Sequence, residues 1–358
     1  MMISVPVSEQ NEVAQARRAA LEIAQRAGFD ETAVGRVAIA ATEMATNLIK
    51  HGKGGYLLID LTDWPEDVGT AWSGPPDVEL IAIDKGPGLA SIETALQDGY
   101  STAGSAGHGL GAIRRQAHSF NVYSRPGAGT VLAVRLGGGP ATSRKRADVP
   151  SHRVARGLIG SVCLAKPGED VCGDGWHVIP GPGVQGRRAV MVVDGLGHGP
   201  QAAEASAAAV RLFNRHAGRS PAEIMEAMHE GLRPTRGAAV SIARFEPERR
   251  MVSFCGIGNV GGVLASRNTP EARRMLSLNG TVGHVMRKVQ QFDYPYPAGG
   301  APVVILHSDG ISAQWALDKY PGLSSANPSL LAAVLYRDFG RDRDDATVLV
   351  AHDLGEEH

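Results

Sequence analysis

The chain has 358 residues, of which 43% are hydrophobic and 20% are charged, and its formal net charge is -1. This length and composition predict two globular domains and exclude a mainly disordered chain. The near-zero net charge provides no overall basic field, so we expect neither a nucleic-acid partner nor an anionic membrane surface.

The beginning of the chain and its cysteines favour a cytoplasmic protein. Met1 to Pro6 contains no basic segment leading into an apolar stretch, and no run approaches the ~18 apolar residues of a membrane span. Cys163, Cys172 and Cys255 have neither zinc-site spacing nor the even number of a disulfide framework, which indicates a reducing compartment. We therefore expect a cytoplasmic chain without a membrane span.

Residues 1–136 combine helical and strand-like patterns. Periodic apolar residues predict helices over Asn11 to Ala27 and Thr32 to Lys50. Strand-like runs follow at Tyr56 to Leu61, Val78 to Ile83, Phe120 to Ser124 and Thr130 to Leu136. This order predicts an α/β sandwich in which helices cover a sheet.

The second predicted helix carries a polar pair. Glu43 and Asn47 are four residues apart, on the side opposite the apolar face that includes Met44 and Leu48. An Asn amide oxygen suits Mg²⁺, and a carboxylate one turn away can accept a proton from a hydroxyl. The same two residues are also typical of a solvated helix face. The pair therefore indicates a binding site only in combination with the residues that follow.

A carboxylate and glycine-rich segments complete the pattern. Asp84 ends a predicted strand, where it can accept a hydrogen bond from an adenine amino group, while Gly86 and Gly88 keep the backbone open. Gly104 to Gly111 precedes a helical run, Ala112 to His118, whose first amides can surround phosphates. A GxxxxGK[ST] phosphate loop is missing from the sequence, so a nucleotide must be held by these residues instead.

In this order and spacing, the residues resemble the GHKL ATPase superfamily, and more closely its RsbT-type serine/threonine kinases. The matching segments also include Gly52-Lys-Gly54, Asp98-Gly-Tyr-Ser-Thr102 and Gly109-Leu-x-x-Ile-Arg-Arg115. The resemblance implies ATP and Mg²⁺ as cofactors. It assigns Asn47 to the metal, Glu43 to the base, Asp84, Gly86, Gly88 and Thr130 to the nucleotide, and Gly107, Gly109 and Gly111 to a lid.

The same resemblance implies partners. The substrates would be serine or threonine residues of STAS-domain proteins of the RsbS or RsbR type. A downstream phosphatase or a sigma-factor regulator would be a further partner. His108, within the lid, would either touch phosphate or simply be an exposed loop residue.

A linker and a β-rich half follow. Gly137 to Pro150 has three glycines, two prolines and a basic cluster, Arg144 to Arg146, which is either solvated or a docking patch. In residues 151–358, strands are predicted at Gly157 to Ala165, Ala189 to Val193, Ala238 to Phe245, Met251 to Gly256, Pro302 to His307 and Ala346 to Ala351. Helices are predicted at Gln201 to His216, Pro221 to Leu232 and Pro328 to Phe339. The whole chain is therefore predicted to be α+β.

Carboxylates recur at predicted turns next to these strands. Asp174, Asp194 and Asp309 each stand next to glycine, and Asp344-Asp345 precedes the last strand. A single Asp-Gly pair is typical of a turn. Four such clusters can instead converge on one edge of a sandwich, where carboxylates would hold a pair of Mg²⁺ or Mn²⁺ ions.

These residues resemble the PPM-type serine/threonine phosphatases, in the SpoIIE-like branch that contains RsbX. The resemblance rests on Asp194-Gly-Leu-Gly-His-Gly199, Gly256-Ile-Gly-Asn259, Asn279-Gly-Thr281, His307-Ser-Asp-Gly-Ile311 and Asp344-Asp-Ala-Thr347, together with Gly173-Asp174. It implies a β-sandwich flanked by helices and a site for two Mn²⁺ or Mg²⁺ ions. The implied ligands are Asp174, Asp194, the Gly195 carbonyl, Asp309 and Asp344, with Asp194 and Asp309 as catalytic residues and Asp345 as the weaker candidate of its pair.

Two points stay open at this stage. His198 would either protonate a leaving alkoxide or serve the turn in which it lies. Asp174 is followed by Gly-Trp-His without the acidic residue usual in the family, so the hydrogen bonds that would support its carboxylate are undefined.

The sequence thus supports a bifunctional enzyme that phosphorylates and dephosphorylates STAS-domain regulators. A phosphatase whose N-terminal domain is an ATP-sensing or protein-binding module is the alternative. A small-molecule hydrolase has little support, because the metal motif resembles that of protein phosphatases.

Overall fold

The computed structural model describes residues 2–62, 76–95, 109–138, 158–179, 181 and 188–353. These residues form two compact units, one built from the described residues up to 138 and the other from those after 157. The predicted linker, 137–150, is mostly outside the described residues. Its first residue, Gly137, is the end of a strand.

The first unit has one antiparallel sheet and a helical layer. Its strands are β1 (Ile3–Val7), β2 (Gly55–Thr62), β3 (Asp77–Asp84), β4 (Ser119–Ser124) and β5 (Thr130–Gly137). The helices are α1 (Gln10–Arg26), α2 (Glu31–Lys50), α3 (Ile92–Ala95) and α4 (Gly109–Gln116). The strands lie in the order β1-β2-β3-β5-β4, so the predicted helix-on-sheet sandwich is confirmed.

Local chemistry explains the position of α2. The Asp30 side chain accepts a hydrogen bond of 2.7 Å from the backbone amide of Ala33, which caps the helix N-terminus. Met44 and Leu48 are buried against alternate strand residues such as Leu57 and Ile59. The polar side of the same helix is thereby left for Glu43 and Asn47.

Strand β1 was not predicted. It pairs with β2 in antiparallel register, from Ile3 opposite Ile59 to Val7 opposite Gly55. Only Val5 and Val7 are buried in it, and Pro6 lacks an amide proton, which restricts such a strand to a sheet edge. Five residues with this composition give too weak an alternation to be recognised from sequence.

The second unit is a β-sandwich flanked by helices, as predicted. The strands are β6 (Ile159–Leu164), β7 (Asp174–Ile179), β8 (Ala189–Gly195), β9 (Ala238–Glu246), β10 (Met251–Ile257), β11 (Gly261–Ser266), β12 (Ala272–Met275), β13 (Ser277–Leu278), β14 (Phe292–Pro295), β15 (Pro302–His307) and β16 (Ala346–His352). The helices are α5 (Pro200–Arg215), α6 (Pro221–Gly231) and α7 (Pro328–Phe339).

Two sheets make up this sandwich. One has the order β13-β10-β9-β8-β7, with β14 also paired to β10, and the other has the order β12-β11-β15-β16-β6. Helices α5 and α6 pack on the first sheet through Phe213 and Met225, and α7 packs against β6 and β16. Proline occupies the first position of each helix, where its missing amide proton costs no hydrogen bond.

The predicted helices and strands of this unit agree with the structure to within about two residues at each end. One interpretation was wrong. Gly173-Asp-Gly175 and Val193-Asp-Gly195 were assigned to turns, whereas Asp174 begins β7 and Gly195 ends β8. Strands β11 to β14 were not predicted, because they are short, glycine-rich or charged. None of the helices in the described ranges has the length and apolar content needed to cross a membrane.

Candidate active sites

The N-terminal candidate site lies where α2 meets the start of α4. Glu43 and Asn47 are both partly buried. A Cβ atom placed on Gly109 would lie 3.2 Å from Glu43 Oε2 and 3.4 Å from Asn47 Oδ1. The first turn of α4 therefore lies directly against the polar pair, and its amide groups, which have no partner within the helix, provide a favourable environment for negative charge.

This arrangement corrects the predicted start of the helix that follows the glycine-rich segment. Gly109 and Gly111 lie within α4, which begins three residues earlier than the predicted helical run. Gly107, His108 and the segment 98–102 lie outside the described residues. The described part of the predicted lid is thus a helix start rather than a loop.

Asp84 is fixed by the backbone of two segments. Its Oδ1 accepts hydrogen bonds from the amides of Gly86, at 2.8 Å, and Thr130, at 3.1 Å. These bonds place the end of β3 against the start of β5 and set the direction of the carboxylate. Such a carboxylate is held in place before any ligand arrives, which favours recognition of a hydrogen-bond donor.

The two predicted nucleotide-site glycines are required by close backbone approaches. A Cβ on Gly86 would lie 2.7 Å from the carbonyl oxygen of Gly52. Gly88 has a φ of +69°, and its Cβ would lie 2.1 Å from the carbonyl oxygen of Arg125. Larger residues at either position would push these segments apart.

The C-terminal candidate site begins with two aspartates on neighbouring strands. Asp174 and Asp194 are direct cross-strand partners in the antiparallel pair β7–β8. Residues directly opposite each other project to the same side of a sheet, so carboxylates 20 positions apart in the sequence become neighbours. A like-charged pair in this position is destabilising unless a cation or a proton compensates it.

Two further aspartates come from the other sheet. Asp309 follows β15 and Asp344 precedes β16, and these strands are antiparallel neighbours, so both residues lie at the same end of the sheet. Asn259 Nδ2 donates a 2.5 Å hydrogen bond to Asp309 Oδ2. The structure therefore brings together the four side-chain ligands that the sequence predicted, with Gly195 immediately after Asp194.

The protonation equilibria show how unfavourable the negative charge is here. Burial raises the pKa of Asp174 to about 7, although hydrogen bonds from the Ser308 and Thr347 side chains oppose the rise. The negative charges of Asp345 and Asp309 add to it. Burial also raises the pKa of Asp194 to about 8, with Asp174 as the largest charge contribution. The pKa of Asp309 is raised by burial and by Asp344.

These carboxylates fit a site for divalent cations. Asp174 Oδ2 is buried without a hydrogen-bond partner in the described part of the chain, and an unpaired buried oxygen of this kind is a suitable cation ligand. No three carboxylate, imidazole or thiol groups among the described residues already enclose a metal-sized position. The fit therefore rests on charge and burial, and it suits a divalent cation that uses few carboxylates and retains several waters.

Asp345 has a different role from its neighbour. It is buried, its Oδ1 accepts from the Lys166 amide at 2.8 Å, and its Oδ2 accepts from the Gly173 amide at 2.9 Å. Both oxygens are thus used to hold the segment that leads into Asp174. This is a physical reason to keep Asp344 as the expected ligand.

A cleft of about 500 Å³ opens beside the aspartates. Its walls include Asp194, Asp309 and Asp344, the cationic side chains of Lys166 and Arg343, and His198. Sequence reasoning missed Lys166 and Arg343, because a single cationic residue carries no motif. Their position in the cleft gives it positive charge beside the acidic cluster, which suits a phosphate ester.

His198 has a partner that the sequence did not reveal. Its Nδ1 lies 2.7 Å from Glu169 Oε1, and both side chains are partly exposed. A carboxylate on Nδ1 fixes the ring and directs Nε2 away from Glu169. The only signal in the sequence would have been the position of Glu169, shortly after the edge strand β6.

Comparisons with known proteins divide the chain in the same way. Residues 7–136 match the family model of the histidine kinase-like ATPase domain, and residues 185–352 match that of stage II sporulation protein E, SpoIIE. The chain is 30% identical over 122 residues to serine/threonine-protein kinase RsbT of Bacillus subtilis strain 168, covering 34% of this chain and 85% of RsbT.

A second relative covers the other half. The chain is 30% identical over 149 residues to phosphoserine phosphatase RsbX of Bacillus subtilis strain 168, covering 42% of this chain and 72% of RsbX. A crystal structure of RsbX in complex with magnesium has a TM-score of 0.45 and 25% identity, covering 55% of this chain and 95% of that one.

Proposed function

We propose that the chain is a bifunctional signalling enzyme. Its N-terminal part belongs to the RsbT family of serine/threonine kinases, and its C-terminal part belongs to the SpoIIE family of phosphatases. Its N-terminal unit transfers phosphate from ATP to a serine or threonine, and its C-terminal unit removes phosphate from phosphoserine or phosphothreonine. The observation that carries the proposal is that Asp194, Asp309 and Asp344, which come from two sheets, line a cleft that also contains Lys166 and Arg343. Asp174 lies directly opposite Asp194 on the neighbouring strand.

In the N-terminal unit, each residue has a separate task. Asn47 Oδ1 would hold the Mg²⁺ of Mg-ATP, Asp84 would accept from the adenine amino group, and Glu43 would accept the proton of the substrate hydroxyl. Gly109, at the start of α4, lies against Glu43 and Asn47, and the amide groups of this helix start would stabilise the phosphates. Gly86, Gly88 and Thr130 would shape the nucleotide site around Asp84.

In the C-terminal unit, Asp174, Asp194, the Gly195 carbonyl, Asp309 and Asp344 would hold two Mn²⁺ or Mg²⁺ ions. When bound, such ions polarise a phosphate ester and neutralise the charge that develops on it. Lys166 and Arg343 attract the anionic substrate into the cleft. His198, oriented by Glu169, donates a proton from Nε2 to the departing serine oxygen.

We further propose that both units act on STAS-domain proteins of the RsbS or RsbR type, in a partner-switching pathway. The support is that the two curated relatives are a serine/threonine-protein kinase and a phosphoserine phosphatase, which carry out opposite reactions. With both activities on one chain, phosphate on the target depends on the balance between them rather than on either rate alone.

The test uses the full chain with ATP, Mg²⁺, Mn²⁺ and purified STAS-domain proteins, followed by intact-mass spectrometry over time. We expect Asp309→Asn to raise the steady-state phosphate on the target and Asn47→Ala to prevent its formation, with the unsubstituted chain between the two. If ATP binds but no target gains phosphate, the N-terminal unit is a nucleotide-sensing module. If Asp309→Asn leaves the phosphate level of every target unchanged, the two units do not oppose each other.

A further inference from the structure

Two thiols that the sequence separates lie together beside the phosphatase site. The Sγ atoms of Cys163 and Cys172 are 3.8 Å apart. Cys163 is in β6 and Cys172 lies just before β7, and these strands are the last ones in their respective sheets. Both cysteines are partly exposed, whereas Cys255 is fully buried.

We propose that Cys163 and Cys172 are an oxidative modification site, at which a peroxide drives formation of a reversible disulfide that lowers the phosphatase activity. The Sγ atoms must approach from 3.8 Å to about 2.05 Å for the bond to form. In a reducing compartment, a disulfide is usually transient and serves redox sensing, so a pair held as thiols at this distance suits such a role. The inference goes beyond the proposed function, because it adds a control to the phosphatase unit.

The reaction balances with a hydroperoxide as the only co-reactant. One cysteine loses its proton, and its thiolate attacks the peroxide, which gives a sulfenic acid and, once the proton is taken up by the leaving oxygen, one water or alcohol molecule. The second sulfur then attacks the sulfenic sulfur, a second water leaves, and the S–S bond forms. The two thiols lose two electrons and two protons in total, and the peroxide is reduced. A small dithiol reverses the reaction by exchange.

The cysteine pair is connected to the aspartates through one tightly held residue. Gly173 lies between Cys172 and Asp174, its amide donates to Asp345 Oδ2 at 2.9 Å, and its carbonyl accepts from the Gly195 amide at 3.2 Å. A Cβ on Gly173 would lie 2.7 Å from Ala202 Cβ and 2.7 Å from Asp345 Oδ2. Because the segment is packed this closely, it cannot absorb a displacement of Cys172, and the displacement is transmitted to Asp174.

The disulfide would also close a loop that contains other parts of the cleft. Lys166 and Glu169 both lie between the two cysteines. Lys166 lines the cleft and donates its amide to Asp345, while Glu169 contacts His198. Restricting this loop therefore acts on Asp174, Lys166 and His198 together.

The experiment treats the reduced full chain with hydrogen peroxide, stops the reaction with catalase, and blocks the remaining thiols with a maleimide. Intact-mass and peptide mapping count the free thiols and identify the crosslinked peptides. Activity on a phosphoserine peptide with Mn²⁺, and Mn²⁺ binding by calorimetry, are measured before and after oxidation and again after dithiothreitol. Cys163→Ser and Cys172→Ser are the test variants, and Cys255→Ser is the matched control.

In the unsubstituted chain, we expect oxidation to lower the number of free thiols from three to one and to form a Cys163–Cys172 crosslink. The same crosslink should form in Cys255→Ser. Activity should fall about 10-fold, as for disturbed support of a metal ligand, and recover with dithiothreitol. The two test variants should keep their activity at the same peroxide dose.

Three results would overturn the inference: no crosslink, a crosslink that involves Cys255, or a crosslink that leaves both activity and Mn²⁺ affinity unchanged. Failure of the proposed phosphatase function has a different signature. In that case the reduced chain is inactive before any oxidation. The inference is then tested only by whether the crosslink forms and whether it changes the Mn²⁺ affinity.

Discussion

The two units present carboxylates to their candidate sites in opposite electrostatic states. In the N-terminal unit, Asp84 receives hydrogen bonds from the amides of Gly86 and Thr130, so the protein itself stabilises the negative charge. In the C-terminal unit, Asp174 faces Asp194 across two strands and keeps one buried oxygen without a partner in the described part of the chain. A carboxylate of the first kind can recognise a ligand by itself, whereas carboxylates of the second kind need a bound cation or a proton to offset their charge.

This contrast predicts that the largest single effect comes from removing a C-terminal aspartate. Asp194→Asn should lower phosphatase turnover by about three orders of magnitude, because a ligand is lost from the centre of the cluster. Steady-state kinetics on a phosphoserine peptide measure the effect, and EDTA should silence the unsubstituted chain. Asp342→Asn is the matched control, since Asp342 is exposed and close in sequence to Asp344. Full activity in a folded Asp194→Asn chain would contradict the metal assignment.

A second prediction separates binding from transfer in the N-terminal unit. Glu43→Gln should slow phosphate transfer about 100-fold and leave Mg-ATP affinity nearly unchanged, because an amide cannot accept the hydroxyl proton. Asn47→Ala should instead weaken Mg-ATP binding. Calorimetry and intact-mass measurement distinguish the two effects. An absence of nucleotide binding by the unsubstituted chain with Mg²⁺ present would remove this half of the proposal.

A third prediction concerns the partner of His198. Glu169→Gln should lower phosphatase turnover about 10-fold and change the pH profile, because the imidazole loses the carboxylate that orients it. A residue that only supports the loop would leave the shape of the pH profile unaltered. Asp170→Asn, at the adjacent exposed position, should behave like the unsubstituted chain.

The smallest expected effect is on stability in EDTA. The folded-state pKa values of Asp174 and Asp194, about 7 and about 8, lie above the ~3.9 of an unfolded aspartate, so the folded chain binds more protons in between. The stability of this unit should therefore be greatest near the acidic end of that window and fall as the pH rises through 8.

Scanning calorimetry at several pH values measures this trend. The melting temperature of the C-terminal unit should fall from the acidic to the basic end of this window, and saturating Mn²⁺ should flatten the slope. Asp194→Asn should reduce the slope as well, since it removes one of the two titrating groups. A melting temperature that rises with pH in EDTA would show that charge repulsion among these aspartates does not destabilise the unit.

The sequence predicted what depends on local periodicity. Helix α2 and the runs of Val, Ile and Leu in β15 and β16 have clear patterns, and the structure confirms them. Strand β7 was missed because Asp174 and Gly175 have poor strand propensity, and the strand exists there because it pairs with β8. Tertiary pairing overrode the local preference.

The candidate site was likewise predictable only where local motifs indicate it. The aspartates could be named from their motifs, but their neighbours could not. Glu169 beside His198, the two backbone amides on Asp345 and the adjacent thiols of Cys163 and Cys172 all depend on contacts between elements. No spacing rule in a single sequence encodes such contacts.

The register of β7 against β8 also limits which length changes this protein can tolerate during evolution. Inserting or deleting one residue within either strand would move Asp174 or Asp194 to the opposite face of the sheet, because side chains alternate from one residue to the next. Natural variants of this chain should therefore keep both strands free of insertions and deletions.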